Sequence, residues 1–359
     1  MKLVLTEEQE DLRATVRRLL TEHAPMSRVR EVAVDVDGGG YDRELWGRLA
    51  GLGATGLTVD EKHGGAGAGY VELCVVAEEL GRALAPVPFV PVALAATALA
   101  ATGDPAAGDL LERLAAGTAI ATVAGAGTSD GVPEARRDGD GWTLHGTANL
   151  VLDGRFADAV VVLAAGGVYL ADTTAAGLTR TALTSADPTR APARLTFDGT
   201  PATALACDDP AAVADAVART AALVIAAEQT GGMTVCLETT LDYAKIRMQF
   251  GRAIGSFQAV KHALADMYSE CEQATAALRY AAWAADDDPD AADVAASLAK
   301  TACSEAYAHI AAQTIQLHGG IGFTWEHDAH LYFKRARATA ALFGDPARHR
   351  ERMAQRLGL

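Results

Sequence analysis

The feature that most constrains this chain is the run of long helical patterns that fills it from residue 209 onward. Residues 213–241 read as one alanine-rich helix, and residues 259–286, 293–317 and 327–342 follow as amphipathic runs. Helices of that length gain most of their stability by burying apolar stripes against one another, so the pattern predicts a C-terminal four-helix bundle over residues 207–359.

The N-terminal part is also helical in pattern. Thr6 with Gln9 three residues on is a capping box ahead of Leu12, Val16, Leu19 and Leu20, a second helix spans 43–52 and stops at Gly53, and two short helices lie between 91 and 114. Pro86, Pro88 and Pro91 punctuate this region, which is expected to form a helical domain over residues 1–117. Between the two, residues 118–206 change period. AIATVAGAG, GWTLHGTANLVLDG, ADAVVVLAAGGVYLAD and ARLTFDGTP are β-branched or alternating runs parted by Gly and Asp turns, which predicts a middle β-barrel-like domain with no strand past Ala206. The fold class is α+β, mainly α.

A formal charge of −15 argues against nucleic acid as a partner, because phosphate neutralisation needs clustered Lys and Arg. Five cysteines without C-x-x-C spacing, and an N-terminus without a secretory apolar core, point to the reducing cytoplasm and to no metal site. No apolar run is expected to reach bilayer-crossing length, the alanine-rich stretch 92–102 being soon broken by Gly103 and Pro105. The acidic run DDDPDAAD at 286–293 reads as a solvated turn between helices.

Two separated segments carry ligand chemistry. In RMQFGRAIGSFQ (residues 247–258), Arg247 can fork onto phosphate oxygens, Phe250 can cover a flat ring, and Gly251 lets the backbone turn closely. In QLHGGIGF (residues 316–323), Gly319, Gly320 and Gly322 follow a long helix and suit a loop that bares N–H groups to phosphate or an adenine edge. Each segment alone also reads as an ordinary helix end; together they are the chemistry of a dinucleotide site. A third glycine loop (Gly64, Gly65, Gly67, Gly69) has no cation among its glycines and follows Asp60 and Glu61, so it reads as a structural turn.

With these motifs, and with LTEEQEDLRATVRRLL, AEELGRALAPVPF and QLHGGIGFTWEHDAHLYFKRA, nearly the whole chain resembles the acyl-CoA dehydrogenase family of flavoproteins. The resemblance implies the acyl-CoA dehydrogenase fold, FAD as cofactor, and removal of the α and β hydrogens of an acyl-CoA thioester in lipid β-oxidation, with an electron-transferring flavoprotein as acceptor. It assigns Arg247 to the FAD pyrophosphate, Phe250 and Gly251 to the adenosine end, Gln258 to the start of the adjoining helix, and Gln316, His318, Gly319, Gly320 and Gly322 to the far end of the cofactor. In the family these segments serve the flavin held mainly by the neighbouring subunit.

The departures concern the reactive end. Where the family has Glu before Gly in its C-terminal loop, TAALFGDPARHRER places Phe343, and the alternative Glu position on the first bundle helix is Ala221. Asp345 is a candidate base, but Gly344-Asp345-Pro346 reads equally as a turn and helix cap; Glu228, two turns past Ala221, is expected to face solvent. Leu150 stands where the family has a ring-stacking Trp and Leu152 where it has a Thr, while Thr128, Ser129 and Asp130 keep part of the first flavin loop. The resemblance therefore implies a subunit that completes the FAD site of a related partner chain in a heterotetramer. A self-sufficient homo-oligomer using Asp345, and a flavin-free CoA-thioester binder or scaffold, are the alternatives.

Overall fold

The structure, a computed structural model, describes residues 3–34, 40–126 and 131–359. In chain order the elements are α1 (Glu7–His23), α2 (Met26–Val34), α3 (Arg43–Gly51), α4 (Tyr70–Arg82), α5 (Phe89–Thr102) and α6 (Gly108–Ala115). Strands β1 (Ala121–Ala124), β2 (Glu134–Asp138), β3 (Gly141–Val151), β4 (Ala159–Ala164), β5 (Gly167–Asp172), β6 (Leu178–Ala182) and β7 (Ala193–Leu205) follow. The remainder is α7 (Pro210–Ile246), the short pair β8 (Met248–Gln249) and β9 (Arg252–Ala253), α8 (Gln258–Asp287), α9 (Pro289–His318), α10 (Ala329–Ala341) and α11 (Pro346–Arg356). The expected capping box is present, Thr6 Oγ1 accepting from the Gln9 N–H while the Gln9 side chain accepts from the Thr6 N–H.

The chain divides into two compact units, one made of Met1–Ser27, Cys74–Ala85 and Ala222–Leu359, the other of Arg28–Leu73 and Pro86–Ala221. The second unit holds α5, apolar on all sides and buried almost throughout, and the seven-stranded sheet. Its strand order is β1-β4-β5-β7-β3-β2 with β6 beside β7; β1 and β4 run parallel and the other pairs antiparallel. Among the described residues β1 and β2 end this path unpaired with each other, so no closed barrel forms where the sequence suggested a barrel-like domain. Leu144, Val160, Val162, Leu195 and Phe197 form its buried face. The sequence reading passed over β2 and β6, which are mostly exposed and polar and carry no apolar alternation. The Gly64–Gly69 turn is structural as expected, a Cβ on Gly65 falling 2.0 Å from the Val59 carbonyl oxygen.

In the first unit, α4 and α7 cross with their backbones almost touching. A Cβ on Gly81 would stand 2.1 Å from the Glu228 carbonyl oxygen, and one on Gly231 would stand 1.9 Å from that of Glu78. On the next residue of α7, a Cβ at Gly232 would meet the Tyr307 ring of α9. α7 contains an 18-residue window of mean hydropathy 1.5, long and apolar enough to cross a membrane by length and composition, which the sequence reading had not expected of any segment. Fifty-six per cent of that window is buried inside the fold, as in the core helix of a bundle. The acidic run forms the exposed junction between α8 and α9 as expected, in a tight form: Asp287 ends α8, and the Asp288 side chain caps α9 by accepting from the Ala291 N–H at 3.3 Å.

α11 closes this unit over a buried histidine. His349 lies against Gly344, and burial, reinforced by the charge of Lys300, pushes its pKa from the ordinary 6.5 down to about 4.

Gly81→Ala and Gly231→Ala each force helix backbones apart and are expected to cost about 1–3 kcal/mol or more, read as a lowered Tm. Gly47→Ala, at an exposed position of α3 with nothing within 4 Å of the new methyl, is expected to raise stability by about 0.5–1 kcal/mol. Because His349 stays neutral in the fold while the unfolded chain takes up its proton, the stability it contributes is complete above pH 6.5 and lost as pH falls towards about 4. His349→Leu should flatten that part of the stability–pH curve by about one proton relative to the parent.

Candidate functional site

The first candidate segment is the hairpin that follows α7. Gln249 pairs with Arg252, so Phe250 and Gly251 form a two-residue loop, with φ of 52° and 76°. Two successive positive φ values make a type I′ turn, whose first position favours Asn, Asp or Gly. Phe250 carries a left-handed penalty of about 1–2 kcal/mol there, and its ring is 91% exposed. The turn therefore displays an aromatic at the expense of its own stability. Arg247 is exposed beside it, its N–H donating to the Tyr243 carbonyl at 2.9 Å and its carbonyl accepting from the Ile254 N–H at 2.8 Å, which squares the hairpin onto the end of α7. At the far side Arg252 lies 4.0 Å over the Phe257 ring, and Gln258 opens α8.

The second candidate segment is the end of α9. Gly319 has φ 65° and leads into a 3₁₀ turn over Gly319–Phe323. No atom lies within 4 Å of where a Cβ would stand on Gly319 or Gly320, and both are exposed with Gln316. Gly322 differs: a Cβ there would sit 2.8 Å from the His318 Cβ and from the Ile315 carbonyl oxygen, so this glycine permits close packing of the turn on its helix. His318 is 5% exposed, and its Nδ1–H donates to the Thr314 carbonyl at 2.7 Å. Its ring stacks on Tyr243 (centroids 4.5 Å, 23° between planes) and meets His327 at 4.5 Å. Burial holds its pKa below the ordinary histidine value. His318 is thus part of the wall behind the turn. An exposed guanidinium, an exposed ring and two glycines with open space before them fit the anionic and aromatic tail of FAD.

The region around Phe343, where the resemblance led one to expect a base, is built differently. Phe343 has φ 58° and Gly344 φ 108°. Lys300 on α9, fully buried, donates from Nζ to Ser304 Oγ (3.0 Å) and to the carbonyls of Thr339 (3.1 Å), Ala340 (3.2 Å) and Gly344 (3.3 Å). Burial brings this ammonium down to about 8. Asp345 is committed as the N-cap of α11, its carboxylate accepting from the Arg348 N–H at 2.8 Å. Ala221 is fully buried, and Glu228, expected in solvent, is only 4% exposed because it lies on the face of α7 that meets α4. Leu150 is partly exposed on β3 and Leu152 is buried beyond it; Thr128, Ser129 and Asp130 lie outside the described residues.

Sequence reasoning missed Lys300, Tyr243 and His327. For Lys300 a signal existed: it falls within the stripe of Ala296, Ala299, Cys303 and Tyr307 that α9 buries, where a lysine needs acceptors.

Residues 6–118 match the acyl-CoA dehydrogenase N-terminal domain and residues 212–358 the acyl-CoA dehydrogenase C-terminal domain. The chain is 39% identical over 341 residues to acyl-CoA dehydrogenase IpdE2 of Mycobacterium tuberculosis, covering 95% of this chain and 94% of that one. It is 36% identical to acyl-CoA dehydrogenase FadE34 of the same organism, covering 97% of this chain and 48% of the relative. Among solved structures, a Tcur3481-Tcur3483 steroid ACAD variant aligns with TM-score 0.89 and 35% identity over 98% of both chains. The ChsE4-ChsE5 complex of Mycobacterium tuberculosis aligns with TM-score 0.92 and 32% identity over 100% of this chain and 99% of that one. With both terminal domains matched and relatives of this identity along its whole length, the chain belongs to the acyl-CoA dehydrogenase family, a family of FAD-binding oxidoreductases.

Proposed function

We propose that this chain is the complementing subunit of a hetero-oligomeric acyl-CoA dehydrogenase. On this reading Arg247, Phe250, Gly251, Gln258, Gln316, Gly319 and Gly320 hold the nucleotide tail of an FAD whose reactive ring sits in a related partner chain. The observation that carries the reading is the contrast between the two ends. The nucleotide grips are exposed and open, whereas Asp345, two residues past the empty base position in the chain, is spent as a helix cap.

When bound, FAD supplies the acceptor for the hydride leaving the β-carbon of the thioester. The α-proton needs a positioned base, a contribution of roughly 10²- to 10⁴-fold, and neither Phe343 nor Ala221 can accept it. That base therefore belongs to the partner. The two unlike names in the Tcur3481-Tcur3483 and ChsE4-ChsE5 structures support a heteromer, and the first, a steroid ACAD, makes a bulky steroid-derived acyl-CoA the substrate class to try first. An electron-transferring flavoprotein is the expected acceptor. Five free cysteines, four of them buried, suit the reducing cytoplasm.

Co-purification with a related chain that keeps the glutamate and tryptophan is expected to yield one FAD per pair of unlike chains. A homomer that is yellow and desaturates a thioester by itself would sink the proposal, and a complex that never holds flavin would favour a scaffold. Arg247→Ala should strip FAD from the complex, whereas Asp345→Asn, which still caps α11, should leave turnover within about twofold. Phe250→Asn separates folding from binding. Asn tolerates the left-handed turn, so stability should rise by about 0.5–1 kcal/mol while flavin retention falls.

A further inference from the structure

The two grips end different helices, and their separation has to be set by something other than the ligand. Arg247 stands one turn beyond Tyr243 on α7, tied to it by the Arg247 N–H to Tyr243 carbonyl bond. His318 is the last residue of α9 and directly precedes Gly319. The Tyr243 and His318 rings stack between these two points, and His327, at the entry to α10, adds a third ring at 56° to His318. One turn back, the Thr240 hydroxyl donates to Thr314 Oγ1 at 3.1 Å, and the Thr314 carbonyl holds the His318 ring. The same α7–α9 seam therefore passes from a hydroxyl pair to a ring stack just before the helices part.

Each histidine is held in the stack by a backbone hydrogen bond. Nδ1 of His318 must carry a proton to donate to a carbonyl, and Nδ1 of His327 accepts from the Ala329 N–H at 3.1 Å, leaving its proton on Nε2. His318 is too enclosed to reach a ligand on the open face of Gly319 and Gly320, so a flat ring in this place acts through its neighbours.

We propose that His318 is a positioning residue: with Tyr243 and His327 it forms a ring stack that fixes the distance between the Arg247 hairpin and the Gly319–Phe323 turn, and thereby sets how tightly the two hold a dinucleotide. This rests on the reading of those segments as the FAD-tail grip.

The test measures the FAD dissociation constant of the complex with its related partner chain, together with its Tm. His318→Leu keeps bulk and removes the stack, and is expected to weaken FAD by roughly tenfold or more, since small misplacements of a binding group are costly. His318→Phe restores a flat ring without the hydrogen bond and should recover affinity to within about threefold of the parent. His327→Leu, which removes the outer ring together with its bond to the Ala329 N–H, should give a smaller loss of the same sign, with Tm reporting any effect on the fold.

Equal loss in His318→Phe and His318→Leu, or no loss in His318→Leu and His327→Leu, overturns the proposal. Arg247→Ala is measured alongside. If it too leaves FAD binding intact, the grip reading itself has failed; if it weakens FAD while the ring variants do not, only the positioning role has failed.

Discussion

The crossing of α4 and α7 at Gly81 and Gly231 is the contact on which the helical unit depends. Without side chains between them the two helices approach until backbone meets backbone, and each glycine excludes any larger residue. That approach carries two neighbouring carboxylates of α4 into the interior, and each has found an arginine. Glu79, buried, accepts two hydrogen bonds from Arg17 of α1 at 2.6 and 2.8 Å, and Glu78 accepts from Arg279 of α8 at 2.5 Å. The Arg279–Glu78 pair is buried on both sides, so it recovers a desolvation cost rather than adding much stability, whereas Glu79 is buried between Arg17, which is half-exposed, and Arg82. These pairs select which helices flank the crossing.

Two phenylalanines show how one fold treats its two ends differently. Phe250 and Phe343 both adopt positive φ, a conformation that bulky residues rarely hold without support. Around Phe250 the support is the hairpin closed by the Arg247 and Ile254 backbone bond, and the ring is left in solvent. Around Phe343 it is Lys300, whose ammonium gathers carbonyls from the end of α10 and from Gly344, with Asp345 drawn into the cap of α11. The first arrangement offers a group to something outside the chain. The second fixes a loop from within and uses the Asp345 carboxylate as a helix cap.

Much of the fold was readable because helices advertise themselves by period. α1 with its cap, α7 to α10, and the change to strands after Gly117 follow from spacing and turn residues. What escaped were elements without a pattern: β2 and β6 at exposed positions, the length of α7 from Pro210 to Ile246, and the burial of Glu228. A carboxylate two turns along an apolar helix looks solvent-facing until a second helix crosses over it.

For the site, residue order alone put Arg247, Phe250 and Gly251 in one segment and Gly319, Gly320 and Gly322 in another, and put side chains that carry no acid at Phe343 and Ala221 and leucines at positions 150 and 152. These are statements about which chemical groups a chain possesses, and no folding is needed to make them. Only the tertiary structure decided that Asp345 is a cap, that Gly322 packs rather than presents its backbone, and that His318 stands behind the grip instead of within it. Those depend on which atoms lie beside a residue in space, and the partners of His318 come from helices that end seventy-odd residues apart in the chain.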